Sequence, residues 1–175
     1  MNNKSRRLAY SALFLALALV LPFLTGQIPT IGKALSPMHI PVMLCGFICG
    51  PLWGVAVGAV APLLRSVLFG MPAMFPGAVA MTLELATYGA LSGWLYRLLP
   101  RKPWSIYAAL IAAMIGGRLV WGAARFVLAG LSGSEFPLSA FLAGAVTGAI
   151  PGIILHIVLI PLLVMGLERA KLTLD

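Results

Sequence analysis

Charge is what this chain has least of. Only 9% of its residues are charged, against about 25% in a soluble domain, and four side chains in the whole sequence are acidic. No pair of carboxylates is set up for acid–base work. HExxH, GxSxG, a glycine-rich strand-to-helix phosphate loop and any ATPase motif are all absent. The chain is therefore expected not to be an enzyme and to have no catalytic residues. Cysteine is equally sparse. Cys45 and Cys49 stand four apart inside an apolar stretch, which is not the CxxC spacing of a metal site, and they read as two small buried residues. Neither a metal nor a cofactor is expected.

Apolar sequence fills the space that charge leaves. The chain is 61% hydrophobic with a mean hydropathy of +1.04, the composition of an integral membrane protein. A net charge of +8 would suggest nucleic acid in a soluble protein. Here the placement of the charge matters more than its sum, and no nucleic-acid partner is expected. The 175 residues suit a single membrane domain, 1–175. Met1 to Leu21 has the basic start and apolar run of a signal peptide, but no A-x-A-like site follows, so it reads as a retained first span.

Punctuation by proline and glycine divides the chain into six expected spans: Leu8–Leu24, Met38–Cys49, Leu52–Phe69, Ala78–Leu98, Trp104–Leu131 and Leu138–Leu167. Gly26–Pro37, Gly70–Gly77 and Ser132–Pro137 are expected loops. Lys4, Arg6, Arg7, Arg97, Arg101, Lys102, Arg169 and Lys171 fall on one side of this threading and Lys33 on the other. The positive-inside rule then places both termini in the cytoplasm. The fold expected is an all-α integral membrane protein, a six-transmembrane-helix bundle with both termini cytoplasmic, in the cell (plasma) membrane. Gly54/Gly58 and Gly89/Gly93 have the small-xxx-small spacing that lets membrane helices approach closely. Gly144, Gly148, Gly152 and His156 continue such a row on the last span and also read as packing.

The span Trp104–Leu131 organises the rest. Arg118 and Arg125 lie seven residues apart on it, on one face and about 10 Å apart along the axis, with Trp121 between them. An arginine at the bilayer centre costs about 2.5–3.5 kcal/mol on insertion scales, so this stripe must be enclosed by protein. The threading also sets Arg65, Glu84 and His39 in the outer half, with Tyr88 on the face of Glu84, and leaves His156 in the cytoplasmic half. One glutamate against three arginines leaves an excess of positive charge, which points to an anionic ligand or a wet cavity. The alternative is a buried ion-pair network without a ligand. Arg65, Glu84, Arg118, Trp121, Arg125, His39 and Tyr88 are the candidate ligand-binding residues.

From Ser36 to Arg97 the sequence (SPMHIPVMLCGFICGPLWGVAVGAVAPLLRSVLFGMPAMFPGAVAMTLELATYGALSGWLYR) resembles a vitamin-uptake S component, the substrate-specific membrane subunit of an energy-coupling factor (ECF) transporter. The basic start followed by Ala12-x-x-x-Ala16 is similar to the alanine motif by which these subunits dock on the transmembrane coupling (T) subunit. The resemblance extends over nearly the whole chain. It implies a six-helix bundle that captures a vitamin or related micronutrient near its outer face, with the loops Gly26–Pro37, Gly70–Gly77 and Ser132–Pro137 closing over it. It also implies docking through Ala12 and Ala16, and two cytoplasmic ATPases as the source of energy. It does not name the ligand. The arginines favour a carboxylate-bearing vitamin, pantothenate first, then folate or niacin. Two other classes stay open: a self-sufficient secondary transporter or small channel, for which no inverted repeat is visible, and a non-transporting membrane scaffold.

Overall fold

Proline and glycine, rather than polarity, mark the helix ends. Helix α1 (Asn3–Val20) tightens into a 3-10 turn, Leu21–Thr25, at Pro22, whose nitrogen has no proton for a helical bond. Pro29 opens the short α2 (Pro29–Leu35) in the first turn, where no N–H is needed, and Ser36 closes it in the left-handed region. Then come α3 (His39–Cys49), α4 (Pro51–Phe69), a π turn at Met74–Ala78 and α5 (Val79–Leu98). The chain finishes with α6 (Pro103–Leu131), α7 (Leu138–Ala145), a 3-10 turn at Thr147–Ala149 and α8 (Ile150–Arg169). This computed structural model describes residues 3–25 and 28–173, and every regular element among them is helical. Gly26 and Gln27 of the first expected loop, and the side chain of Lys33, lie outside the described residues.

Each expected span contains helix, with three departures. The first expected loop holds α2, and the second holds the π turn. The last span is broken: α7 stops at Ala145 and α8 starts afresh at Ile150, with Pro151 in its first turn. The single glycine row expected along that span is therefore two separate faces. Gly144 lies against the Trp121 ring, and Gly152 against the carbonyls of Ala34 and Leu35.

Helix α5 is central, packing on α3, α4 and α6. Its contact with α3 and α4 is backbone to backbone. A Cβ on Gly54 or on Gly46 would stand 2.6 Å from the carbonyl oxygen of Gly89, closer than any side chain fits, so these positions admit only hydrogen. Gly50 turns α3 into α4 with φ 103°, under the guanidinium of Arg97. All eleven residues of α3 are buried. At about 1.5 Å per residue α3 rises only about 16 Å, roughly half a bilayer core. The first residue of this helix, His39, therefore sits inside the bundle instead of at its rim.

Among the described residues, four stretches are long and apolar enough to cross a membrane: Asn3–Leu24, Pro51–Phe69, Pro103–Leu131 and Leu138–Arg169. The more polar α5 and the short α3 lie among them. Apolar side chains such as Leu8, Leu52, Val67, Phe126 and Leu162 face outward, as they do on a surface solvated by lipid. At one end the start of α1, the α3–α4 turn and the ends of α5 and α8 come together, with Tyr96 of α5 hydrogen-bonded to Glu168 of α8. The opposite end holds the close of α1 and of α4, where Arg65 donates to the carbonyl of Leu19.

Candidate functional site

Glu84 lies in the second turn of α5 with 1% of its surface exposed. Its Oε1 accepts from Arg118 Nη1 of α6 at 2.8 Å and from the hydroxyl of Tyr88, one turn further along α5, at 3.2 Å. His39 Nε2 of α3 stands 3.4 Å from the same oxygen. Three helices thus contribute to one carboxylate. Burial at this depth is tolerable for a charge only when it is paired and hydrogen-bonded, and Glu84 is both.

The imidazole of His39 meets the Tyr88 ring edge-on at 5.1 Å and stacks on His156 of α8 at 5.9 Å. Both histidines are buried, and each keeps one nitrogen without a partner, His39 Nδ1 and His156 Nε2. Buried polar atoms are nearly always satisfied, so an unsatisfied nitrogen on each of two stacked rings marks a place built for something further. His156 was expected in the other half of the membrane. The break before Ile150 puts it in the second turn of a new helix, and the short α3 brings His39 down to meet it. The sequence signal for this was Pro151 following Thr147 and Gly148, a helix start inside an apolar run.

Beside this cluster is a cavity of about 290 Å³ between α6 and the α7–α8 segment. Ser36, Tyr88, Arg118 and His156 line its polar part. Its walls include Ile111, Met114 and Ile115 of α6, Phe141 of α7, and Ile153 and Ile157 of α8. A few convergent polar groups in an apolar enclosure are the usual form of a small-molecule site. A shallower space between α6 and α7, lined by Gly122, Phe126, Phe136 and Phe141 among others, has no charged side chain. Of the three loops expected to close over a ligand, only the first reaches the cavity lining, through Ser36.

The remaining candidates are distributed around the cluster. Trp121 sits under the Arg118 guanidinium at 5.9 Å and stacks on the cavity-lining Phe141 at 6.3 Å, so it supports the wall from behind. The Arg125 guanidinium lies over Phe136 at 5.3 Å, and its Nε has no partner. Arg65 does not join the cluster. It donates to Leu19 O at 2.6 Å and lies between the rings of Phe23 and Phe69, at 5.1 and 5.3 Å. The three arginines expected to converge thus have three different surroundings, and the one at the cavity is already paired with Glu84. Helix periodicity fixed which face each arginine occupies on its own helix. It said nothing of which neighbour that face would meet. Among the described residues no group of histidine, cysteine or acidic side chains is placed to hold a metal ion.

Ala12 and Ala16 are exposed on α1, as are Ala9 and Ser5 one and two turns earlier, so the small strip points away from the bundle. Comparison with curated proteins and with solved structures gives no match. The family described as "ECF transporter, substrate-specific component" matches residues 6–164, a range that takes in the Glu84 cluster, both cavity walls and Ala9, Ala12 and Ala16 of the strip on α1. The chain belongs to the substrate-specific components of ECF transporters.

Proposed function

We propose that this chain captures a vitamin-like micronutrient in the cavity between α6 and α8 and delivers it through an ECF complex. Its partners in that complex are a transmembrane coupling subunit and two cytoplasmic ATPases. The observation that carries the reading is the cavity's polar end, where Arg118 and His156, whose buried Nε2 has no partner, line a space otherwise walled mostly by apolar side chains. The asymmetry of basic residues supports six spans in the plasma membrane with both termini cytoplasmic. It sets the His39–Glu84–Arg118 level towards the outer face. The exposed Ala12–Ala16 strip is then the docking face for the coupling subunit, since small residues permit close helix approach.

For the substrate, an anionic vitamin with pantothenate as first candidate is the reading we adopt. A guanidinium holds carboxylates directionally, and Arg118 has donors beyond the one given to Glu84. A cavity near the lower end of the roughly 300–1,000 Å³ range of small-molecule sites suits pantothenate or niacin better than folate. Native mass spectrometry of the purified protein tests the assignment by detecting a co-purified small molecule. Calorimetric titration of carboxylate vitamins against their neutral amides then tests the charge. Equal affinity within each pair overturns the anionic reading. Absence of any small ligand favours a scaffold, and uptake by the reconstituted chain alone favours a self-sufficient transporter.

A further inference from the structure

An anionic ligand entering this cavity meets a site whose charges already cancel. Glu84 is tied to Arg118 at 2.8 Å, so the one carboxylate and the one guanidinium of the polar end cancel. A carboxylate added there is a buried, uncompensated negative charge, which a low-dielectric surround opposes. Displacing Glu84 from Arg118 does not help, because the deficit moves to a residue only 1% exposed.

Among the described residues, the titratable groups brought to this point are His39 from α3, Glu84 and Tyr88 from α5, Arg118 from α6 and His156 from α8. The side chain of Lys33 on α2 lies outside the described residues. Of these groups only an imidazole gains a positive charge near neutral pH. His156 has the geometry for it. Its buried Nε2 has no partner, its side chain lines the cavity beside Arg118, and its ring is stacked on His39 at 5.9 Å. Two imidazolium rings at that separation repel each other, so the pair accommodates one proton.

We infer that a carboxylate substrate and one proton enter this site together. The proton comes from solvent to the His39–His156 pair, and His156 Nε2–H donates to the carboxylate alongside Arg118. No covalent bond changes: one negative and one positive charge arrive and the site stays neutral. His156 thereby becomes a specificity-determining residue for acids over their amides. The inference rests on the cavity being the substrate site and on the substrate being anionic.

Linkage gives the signature. Uptake of one proton makes the Kd for the carboxylate rise by up to about tenfold per pH unit where the free pair is neutral and the complex protonated, while a neutral amide shows no such slope. The test is isothermal titration calorimetry of the purified protein near pH 7 in buffers of different ionisation enthalpy. Pantothenate, nicotinate and biotin are the probes, each beside its neutral amide. The slope of observed enthalpy against buffer ionisation enthalpy counts protons: close to one is expected for the acid that binds and close to zero for its amide. His156→Gln keeps a hydrogen-bonding side chain but takes up no proton. It is expected to abolish the uptake and weaken the acid by about tenfold or more, leaving the amide nearly unchanged. A carboxylate that binds without proton uptake, or undiminished uptake in His156→Gln, overturns the inference and leaves the anionic reading standing. Failure of every acid to bind overturns both. Should His156→Gln not fold, the buffer series on the unaltered protein decides alone.

Discussion

Removing Arg118 alone from the Glu84–Arg118 pair should cost more stability than removing both residues. In Arg118→Leu the Glu84 carboxylate, 1% exposed, keeps only Tyr88 and His39, at 3.2 and 3.4 Å. Stripping a buried ion of its partner costs about 3–5 kcal/mol. The two remaining neighbours and the adjacent cavity put this case at about 3 kcal/mol. In a chain of this length each kcal/mol moves the unfolding midpoint by about 2–4 °C, so Arg118→Leu should unfold about 6–12 °C early. Glu84→Leu leaves the guanidinium unpaired instead. Arg118 is 19% exposed and can turn into the cavity, so the loss should be nearer 1 kcal/mol. The double variant has no unpaired charge and should lie within about 1 kcal/mol of the native protein. The cycle then yields a coupling of about 3 kcal/mol, the upper end for residues in contact. Thermal unfolding of the four ligand-free proteins in one detergent measures it. If the two losses simply add in the double variant, the pair is not the buried, mutually dependent unit described here.

Arg65→Ala is expected to lower stability by about 2–4 kcal/mol, through loss of a charged hydrogen bond to Leu19 O and of two ring contacts, without changing ligand affinity. Reduced affinity measured on the folded variant would return Arg65 to the site. Gly89→Leu drives a side chain into the backbone of Gly54 and should cost at least about 3 kcal/mol, read as loss of folded protein on size exclusion; a native-like profile would deny the close approach of α4 and α5. Ala12→Leu and Ala16→Leu, on exposed positions of α1, should leave unfolding and ligand affinity unchanged but reduce assembly with the coupling subunit. Normal assembly and uptake by both would remove the docking assignment.

Much of the helical organisation was readable because it is local. Apolar runs between proline and glycine locate the helices, and the spacing of Gly54 and Gly89 announces close packing. What escaped was depth. Periodicity gives the face a residue occupies on its own helix, not its height in the bundle, and two breaks reset the heights. The eleven-residue α3 starts well inside the bundle, and α8 restarts at Ile150, so His39 and His156, assigned to opposite halves of the membrane, stack on each other. The arginines escaped for a related reason. Arg118 and Arg125 share a stripe, but α5 reaches only the first, while Phe136 in the connection after α6 covers the second. Counting charges along the chain predicted an excess that their separation in space dissolves at the cavity.

The position of the cavity follows from how unevenly the bundle is held together. Helices α3, α4 and α5 meet through glycine faces at backbone contact, whereas α6 meets α8 far less extensively than it meets α5. Beside the α6–α8 seam each helix is tied elsewhere, α6 to α5 by Arg118 and Glu84 and α8 to α3 by the stack of His156 on His39. Aliphatic packing is given up at the seam over about 290 Å³. A larger side chain at Ala149, which lines the cavity, would fill part of it. A chain that keeps small residues and a buried ion pair at such a place gives up stability to hold it open, as proteins do where packing yields to a ligand. The tight glycine-packed block fixes Glu84, Tyr88 and His39, α6 packs on that block and brings Arg118, and the more sparsely held α8 brings His156. A substrate at the seam touches both parts at once, the arrangement by which filling the site also draws the two parts together.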